Sequence, residues 1–308
     1  MNPLRSTLVA LCLLVLSLPC ARAGEPPDFM SLLSDAADAY DQKQYQRCAD
    51  ILMPLDLDTV PFSNNVELIL GACLAAVGRT DEALRYLDEK LPTGRIDLDD
   101  LRHKDRPGIT QLRTLPGWPA LMAAADRVEA SMDKPLRAEL LARYEKDQQW
   151  EHALIDAGAD ADARKAANEK LVAVMAENTA WLKPIIARQG WPLISQVGAD
   201  AAQAALIIVQ HSDADPDFQA QVLPLLEAAV NNHQAYAEGF AMLTDRVLVA
   251  QGKPQRYGSQ LQTNTDGSMS MLPVEDEANL DARRRKLGLP SMAEYKQMLS
   301  DLYHQPVK

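Results

Sequence analysis

Between residues 205 and 260 the chain carries its densest set of polar side chains in apolar surroundings: His211, Asp213, Asp215, Asp245, Arg246, Gln255, Tyr257 and Gln260. A histidine followed by aspartates at alternate positions has two chemistries open to it. Asp213 can orient the His211 imidazole for proton transfer, or the group can bind a divalent cation. The cation reading needs ligands at defined spacings, such as two histidines one helical turn apart. His103, His152, His233 and His304 are scattered, so the spacing gives no metal ligands, and nothing in the chain points to a cofactor. A structural alternative stands beside both: Asp215 caps a helix, Asp213 pairs with Arg246, and His211 is a satisfied core histidine. Gln255, Tyr257, Gly258 and Gln260 offer donors and acceptors on an irregular loop, where they either meet a ligand or satisfy the loop's own backbone. His211 and Asp213 are therefore the catalytic candidates. Asp245, Arg246, Gln255, Tyr257 and Gln260 are the ligand-binding candidates.

The elements that must position these residues are mostly helical. Residues 199–211 are apolar nearly all round, which predicts a buried central helix ending at His211. Asp215-Pro216 opens the next helix, with Asp as N-cap and Pro in the first turn. Another is expected over 234–251, stopped by Gly252. Residues 253–276 are the one stretch where β-structure is expected, as a small hairpin around Thr263-Asn264-Thr265-Asp266-Gly267. Helices over 278–287 and 291–303 close the chain, the latter opened by a Ser291/Glu294 capping box. Upstream, amphipathic helices are expected over 136–150 and 163–189, broken at Gly190-Trp191-Pro192, with Pro184 kinking the second. Antiparallel helices with short links would let His211, Asp213, Arg246, Tyr257 and Gln260 line one polar cleft.

Residues 29–91 show helical periodicity and an internal repeat: Ala37, Tyr40 and Ala49 return as Gly71, Leu74 and Ala83, each 34 positions later. With Gly78 at the inter-helix turn and Thr80 expected as an N-cap, this pair resembles the tetratricopeptide repeat, and the resemblance implies a protein-binding surface. Two copies are fewer than the three or so that a free-standing array needs, so the segment must lean on its neighbours. Leu115, Pro116 and Trp118 follow as the expected cap. The second half is similar to a bacterial family known only as a domain of unknown function. Its signatures here are Asp147-Gln148, Gly190-Trp191-Pro192, Val197-Gly198, Gln210-His211 with Asp213, Asp245-Arg246, Gln255 with Tyr257-Gly258 and Gln260, and Arg284 with Leu287-Gly288-Leu289. The resemblance brings no reaction with it.

The chain of 308 residues is 47% apolar, enough to bury two cores. Arg5, an apolar run over 8–18 and Ala21-Arg22-Ala23 form a tripartite leader, so residues 1–23 are expected to be a signal peptide. Its loss leaves 29 basic against 43 acidic side chains, a net charge of −14, which argues against nucleic acid as a partner. No later stretch is apolar for the roughly 20 residues that spanning a membrane needs. Cys12 and Cys20 leave with the leader, and the remaining pair, Cys48 and Cys73, is expected to form a disulfide in an oxidising compartment, with two buried free thiols as the alternative.

The sequence thus implies a mostly α protein with one small β-hairpin: a repeat-like helical domain over 24–130 and a helical domain over 136–308. The expected role is that of a periplasmic or secreted envelope protein that binds a ligand or, through its repeats, another protein. The alternative is a hydrolase-type enzyme using His211, Asp213 and the 255–260 loop. Export predicts that mass spectrometry of the protein from the periplasmic fraction finds Gly24 as the first residue. A full-length chain retained in the cytoplasm would refute it.

Overall fold

The computed structural model describes residues 29–59, 65–158, 160–264, 268–303 and 305–307. The leader with its cleavage site, the turn residues 265–267 and His304 lie outside the described residues. The fold is mostly helical with one small antiparallel hairpin, as the sequence implies. In chain order the helices are α1 (Phe29–Asp41), α2 (Tyr45–Leu52), α3 (Val66–Ala76), α4 (Thr80–Lys90), α5 (Leu98–His103), α6 (Ile109–Leu112) and α7 (Trp118–Ser131). There follow α8 (Lys134–Asp156), α9 (Ala161–Gln189), α10 (Ile194–Val197), α11 (Ala199–Gln210), α12 (Pro216–Asn231) and α13 (Ala237–Ala250). The strands β1 (Leu261–Thr263) and β2 (Met269–Met271) precede α14 (Leu280–Lys286) and α15 (Met292–Tyr303).

The chain divides into two compact units, one of Ser63–Tyr236 and the other of Met1–Phe62 with Ala237–Lys308. In the Ser63–Tyr236 unit, α11 is the centre: its Ala, Leu, Ile and Val side chains are buried almost without interruption, and α8, α9, α10 and α12 pack around it. Upstream in the same unit, α3 packs on α4 so closely that a Cβ at Gly71 would stand 2.6 Å from Leu87 Cδ2, which makes glycine the residue that fits there. The start of α7 closes on α4 in the same way, with Leu84 Cδ1 2.7 Å from where a Cβ of Gly117 would be. A buried ion pair, Arg95 Nε to Glu67 Oε1 at 2.7 Å, ties the segment after α4 back to α3, and the guanidinium lies over the Tyr236 ring. Asp133 caps α8 by accepting from Leu136 N–H, and Asp160 caps α9 through Asp162 and Ala163 N–H.

In the other unit, α1 and α2 form a helical hairpin. From Ala237 onward, α13 is buried along most of its length, and β1 pairs with β2 in the register Leu261↔Met271, Gln262↔Ser270, Thr263↔Met269. The Ser291/Glu294 capping box is formed at the start of α15, with Ser291 N–H donating to Glu294 Oε2 at 2.8 Å. Among the described residues no helix is long and apolar enough to cross a membrane.

Cys48 and Cys73, both fully buried, form a disulfide. A closed loop of about 25 residues restricts the unfolded chain and contributes roughly 3 kcal/mol. The paired Cys48→Ser, Cys73→Ser variant should lose about that much stability in denaturant titration. Titration of the denatured, unreduced chain from Gly24 onward should find no free thiol, and two reactive thiols would contradict the bond.

Candidate functional site

On α8, Asp147 and Glu151 are one helical turn apart and face the same way. Leu140, seven residues before Asp147, is buried on the same helix, so a carboxylate occupies a place in the stripe that packs inward. His211 is the residue that ends α11, its N–H bonded to Ile207 O at 2.9 Å, and the helix dipole at that end favours a cation. Its position is fixed from three sides. Ser212 Oγ donates to Ile208 O at 2.8 Å and lies 2.7 Å from Thr179 Oγ1 of α9. Gln219 of α12 donates its amide to the carbonyls of Val209 and Gln210 at 3.1 and 3.0 Å.

The imidazole held there stands between two carboxylates. His211 Nδ1 lies 2.8 Å from Asp147 Oδ2 and 3.1 Å from Oδ1, and Nε2 lies 3.5 Å from Glu151 Oε1. The side chains are 4% (His211), 0% (Asp147) and 12% (Glu151) exposed, which leaves Glu151 as the edge nearest water. Gln148 bridges the two acids, donating to Asp147 Oδ2 at 3.1 Å and to Glu151 Oε2 at 3.3 Å. Nε2 of His211 makes no hydrogen bond among the described residues. Burial raises the Glu151 carboxyl above the usual range, against the attraction of His211, and the charge on Asp147 adds to the rise. One atom from each of the three residues falls within 4.8 Å of the others, which suits a shared cation.

The partner of the His211 imidazole is thus Asp147. Asp213, the sequence candidate for that role, accepts instead from Gln219 Nε2 at 3.2 Å. Asp215 is the N-cap of α12, accepting from Phe218 N–H at 3.0 Å, and the Lys183 ammonium holds its carboxyl below the usual value. Sequence reading took Asp147-Gln148 only as part of a resemblance and passed over Glu151. The usable signal was local: an acid at the buried seven-residue spacing from Leu140, with a second acid one turn on.

Asp245, Arg246, Gln255, Tyr257 and Gln260 belong to the other unit. There Asp245, fully buried on α13, accepts from the N–H groups of Arg256, Tyr257 and Ser259 at 2.6, 2.9 and 2.8 Å, and from Ser259 Oγ at 2.9 Å. Burial pushes its carboxyl up while these donors pull it down. Gln255 donates to the carbonyls of Gln260 and Leu272 and accepts from Gln260 N–H, and Gln260 Nε2 reaches Ser259 Oγ at 3.1 Å. Arg284 donates to Tyr257 O and Pro290 O at 2.6 Å each and lies over the Tyr295 ring. Arg246 is buried on α13, and Tyr257 packs edge-on against Phe240. The Gln255 amide is thus engaged with the backbone of Gln260 and Leu272, and the Gln260 amide with the Ser259 hydroxyl and the Met242 carbonyl.

The model of one protein family matches residues 134–308, more than half of the chain: a family of unknown function, DUF6624. No curated protein and no solved structure matches.

Glu238, in the first turn of α13, is partly buried, and loss of hydration pushes its carboxyl up to about 7, opposed by the Arg284 guanidinium. A carboxyl that binds its proton more tightly folded than unfolded weakens the fold as pH rises from its ordinary value of 4.5 through about 7. Glu238→Gln should therefore melt with the wild type at low pH and a few degrees above it at about pH 8. Thermal melts at the two pH values decide, and an equal difference at both would show a solvated carboxyl.

Proposed function

The chain belongs to the family of unknown function DUF6624, and from the Asp147–His211–Glu151 arrangement we propose that it is an exported ligand-binding module of the bacterial envelope whose ligand is a cation held at that cluster. One observation carries this reading: a buried carboxylate and a half-buried one face a single imidazole whose second nitrogen is without a hydrogen bond among the described residues. Even a protonated imidazole compensates only one of the two acids. The remaining negative charge in dry surroundings favours a cationic guest.

Export is supported by the leader over residues 1–23 and by the Cys48–Cys73 disulfide, a bond that persists in oxidising compartments. The tetratricopeptide-like reading of 29–91 rests on the repeat of Ala37, Tyr40 and Ala49 as Gly71, Leu74 and Ala83, with the close α3–α4 contact at Gly71 as further support. On that reading the repeat-like region binds a partner protein.

A second reading draws on the short Asp147–His211 contact. A carboxylate at Nδ1 fixes the tautomer in which Nε2 is a base, as in hydrolase-type acid–base catalysis, with Asp147 in the orienting role first assigned to Asp213. It requires a substrate to reach an atom of a side chain only 4% exposed, where a single ion is the smaller guest, so cation binding is the better-supported function.

Native mass spectrometry of protein released from the periplasm tests the proposal. The wild type should carry a bound species that the Glu151→Gln variant lacks. Bare chains in both preparations, or the same mass offset in both, would end it.

A further inference from the structure

Resting on that reading of the cluster as a cation site, we infer that the cation is a divalent transition metal of the zinc class, bound by His211 Nε2 and Glu151 Oε1 with Asp147 orienting the imidazole. The spacing distinguishes ligands from a hydrogen-bonded pair. Nε2 and Oε1 are 3.5 Å apart with no hydrogen bond formed, too long for a charge-assisted N–H···O contact, which closes to about 2.7–2.9 Å. Two atoms each about 2.0–2.2 Å from one ion at a tetrahedral angle stand roughly 3.3–3.6 Å apart. The separation therefore matches the edge of a zinc coordination polyhedron.

The surroundings meet the other requirements. Asp147 at 2.8 Å from Nδ1 places the ring proton on that nitrogen and leaves the lone pair on Nε2, the carboxylate–histidine–metal arrangement in which the outer acid also raises ligand basicity. Gln148 occupies Glu151 Oε2 and so directs Oε1 to the imidazole side. An imidazole nitrogen selects zinc-class ions, because magnesium and calcium take oxygen ligands. A doubly charged ion also neutralises Asp147 and Glu151 together, which one proton on the imidazole does not. With two direct protein ligands, water completes the shell from the side where Glu151 meets solvent. Asp213 is outside this set, since its Oδ1 accepts from Gln219.

The test uses the full chain without a polyhistidine tag, stripped with a chelator and titrated with zinc sulfate by calorimetry, and with cobalt sulfate by visible absorption. The wild type should bind one ion per chain and rise in melting temperature with zinc. Glu151→Gln should weaken binding at least tenfold, and Asp147→Asn by about ten- to a hundredfold through loss of the outer acid. His103→Asn, at an exposed histidine, should leave binding unchanged. His211→Asn should abolish the cobalt spectrum; because it removes a core side chain, melts in metal-free buffer accompany it, and the conservative Glu151→Gln decides where it does not fold. No zinc-dependent heat in the wild type, or equal affinity in the wild type and Glu151→Gln, overturns the metal assignment. An organic cation found on native protein that binds no zinc would overturn this inference and leave the ligand-binding reading standing, whereas bare native protein and no zinc binding would remove both.

Discussion

Asp147 is a carboxylate with no exposure to water, and its charge has to be matched where it stands. That constraint organises the Ser63–Tyr236 unit. It fixes the register of α8, because Asp147 and Leu140 must face inward together. It also fixes where α11 ends, because the compensating group is the His211 imidazole at its last turn, 2.8 Å away. The small and branched apolar residues of α11 allow α8 and α9 to pack against it, so burial brings the histidine to the acid. Removing one partner of such a pair leaves a buried charge alone, at a cost of roughly 3 to 5 kcal/mol.

The other unit meets the same constraint differently. Asp245 is as deeply buried, yet its oxygens are taken by three backbone N–H groups and the Ser259 hydroxyl. The loop that supplies them is held in turn by Gln255, Gln260 and Arg284. Every one of those contacts shapes the chain, and the donors around Asp245 are matched to its lone pairs. At Asp147 and Glu151 the match is incomplete, since the second imidazole nitrogen finds no hydrogen bond. A buried polar atom left over after the fold is satisfied is where a ligand has something to gain.

What the sequence made legible is what is local. The Asp215 cap of α12, the Gly252 stop with its φ of 70° and the Ser291/Glu294 box each depend on a few consecutive residues. Even local reading slipped at Thr80, which is the first residue of α4 and not its cap. Arg79 occupies the cap position without a side-chain cap bond and grips Glu82 instead, at 2.7 and 2.8 Å. The hairpin was readable from its turn residues, but its register was not, because register is set by pairing across the strands. The site lay further out of reach. Asp147 and His211 are 64 residues apart, and the nearer acid in sequence, Asp213, is drawn off by Gln219.

The cluster does two jobs with one set of charges, and this couples them. Asp147 and His211 join α8 to α11, so whatever occupies Nε2 also sets the charge on the ring that holds the helices together. A metal ion at Nε2 takes the lone pair that Asp147, by holding the other ring nitrogen, leaves there. The ion is drawn by the two acids and by the negative end of α11, and its double charge satisfies both carboxylates at once. Ligands that bind the folded chain and not the unfolded one add their binding free energy to the stability of the fold. A pair of acids flanking one histidine therefore makes the packing of α8 on α11 dependent on the ligand held there, whereas Asp245 has its donors already in place.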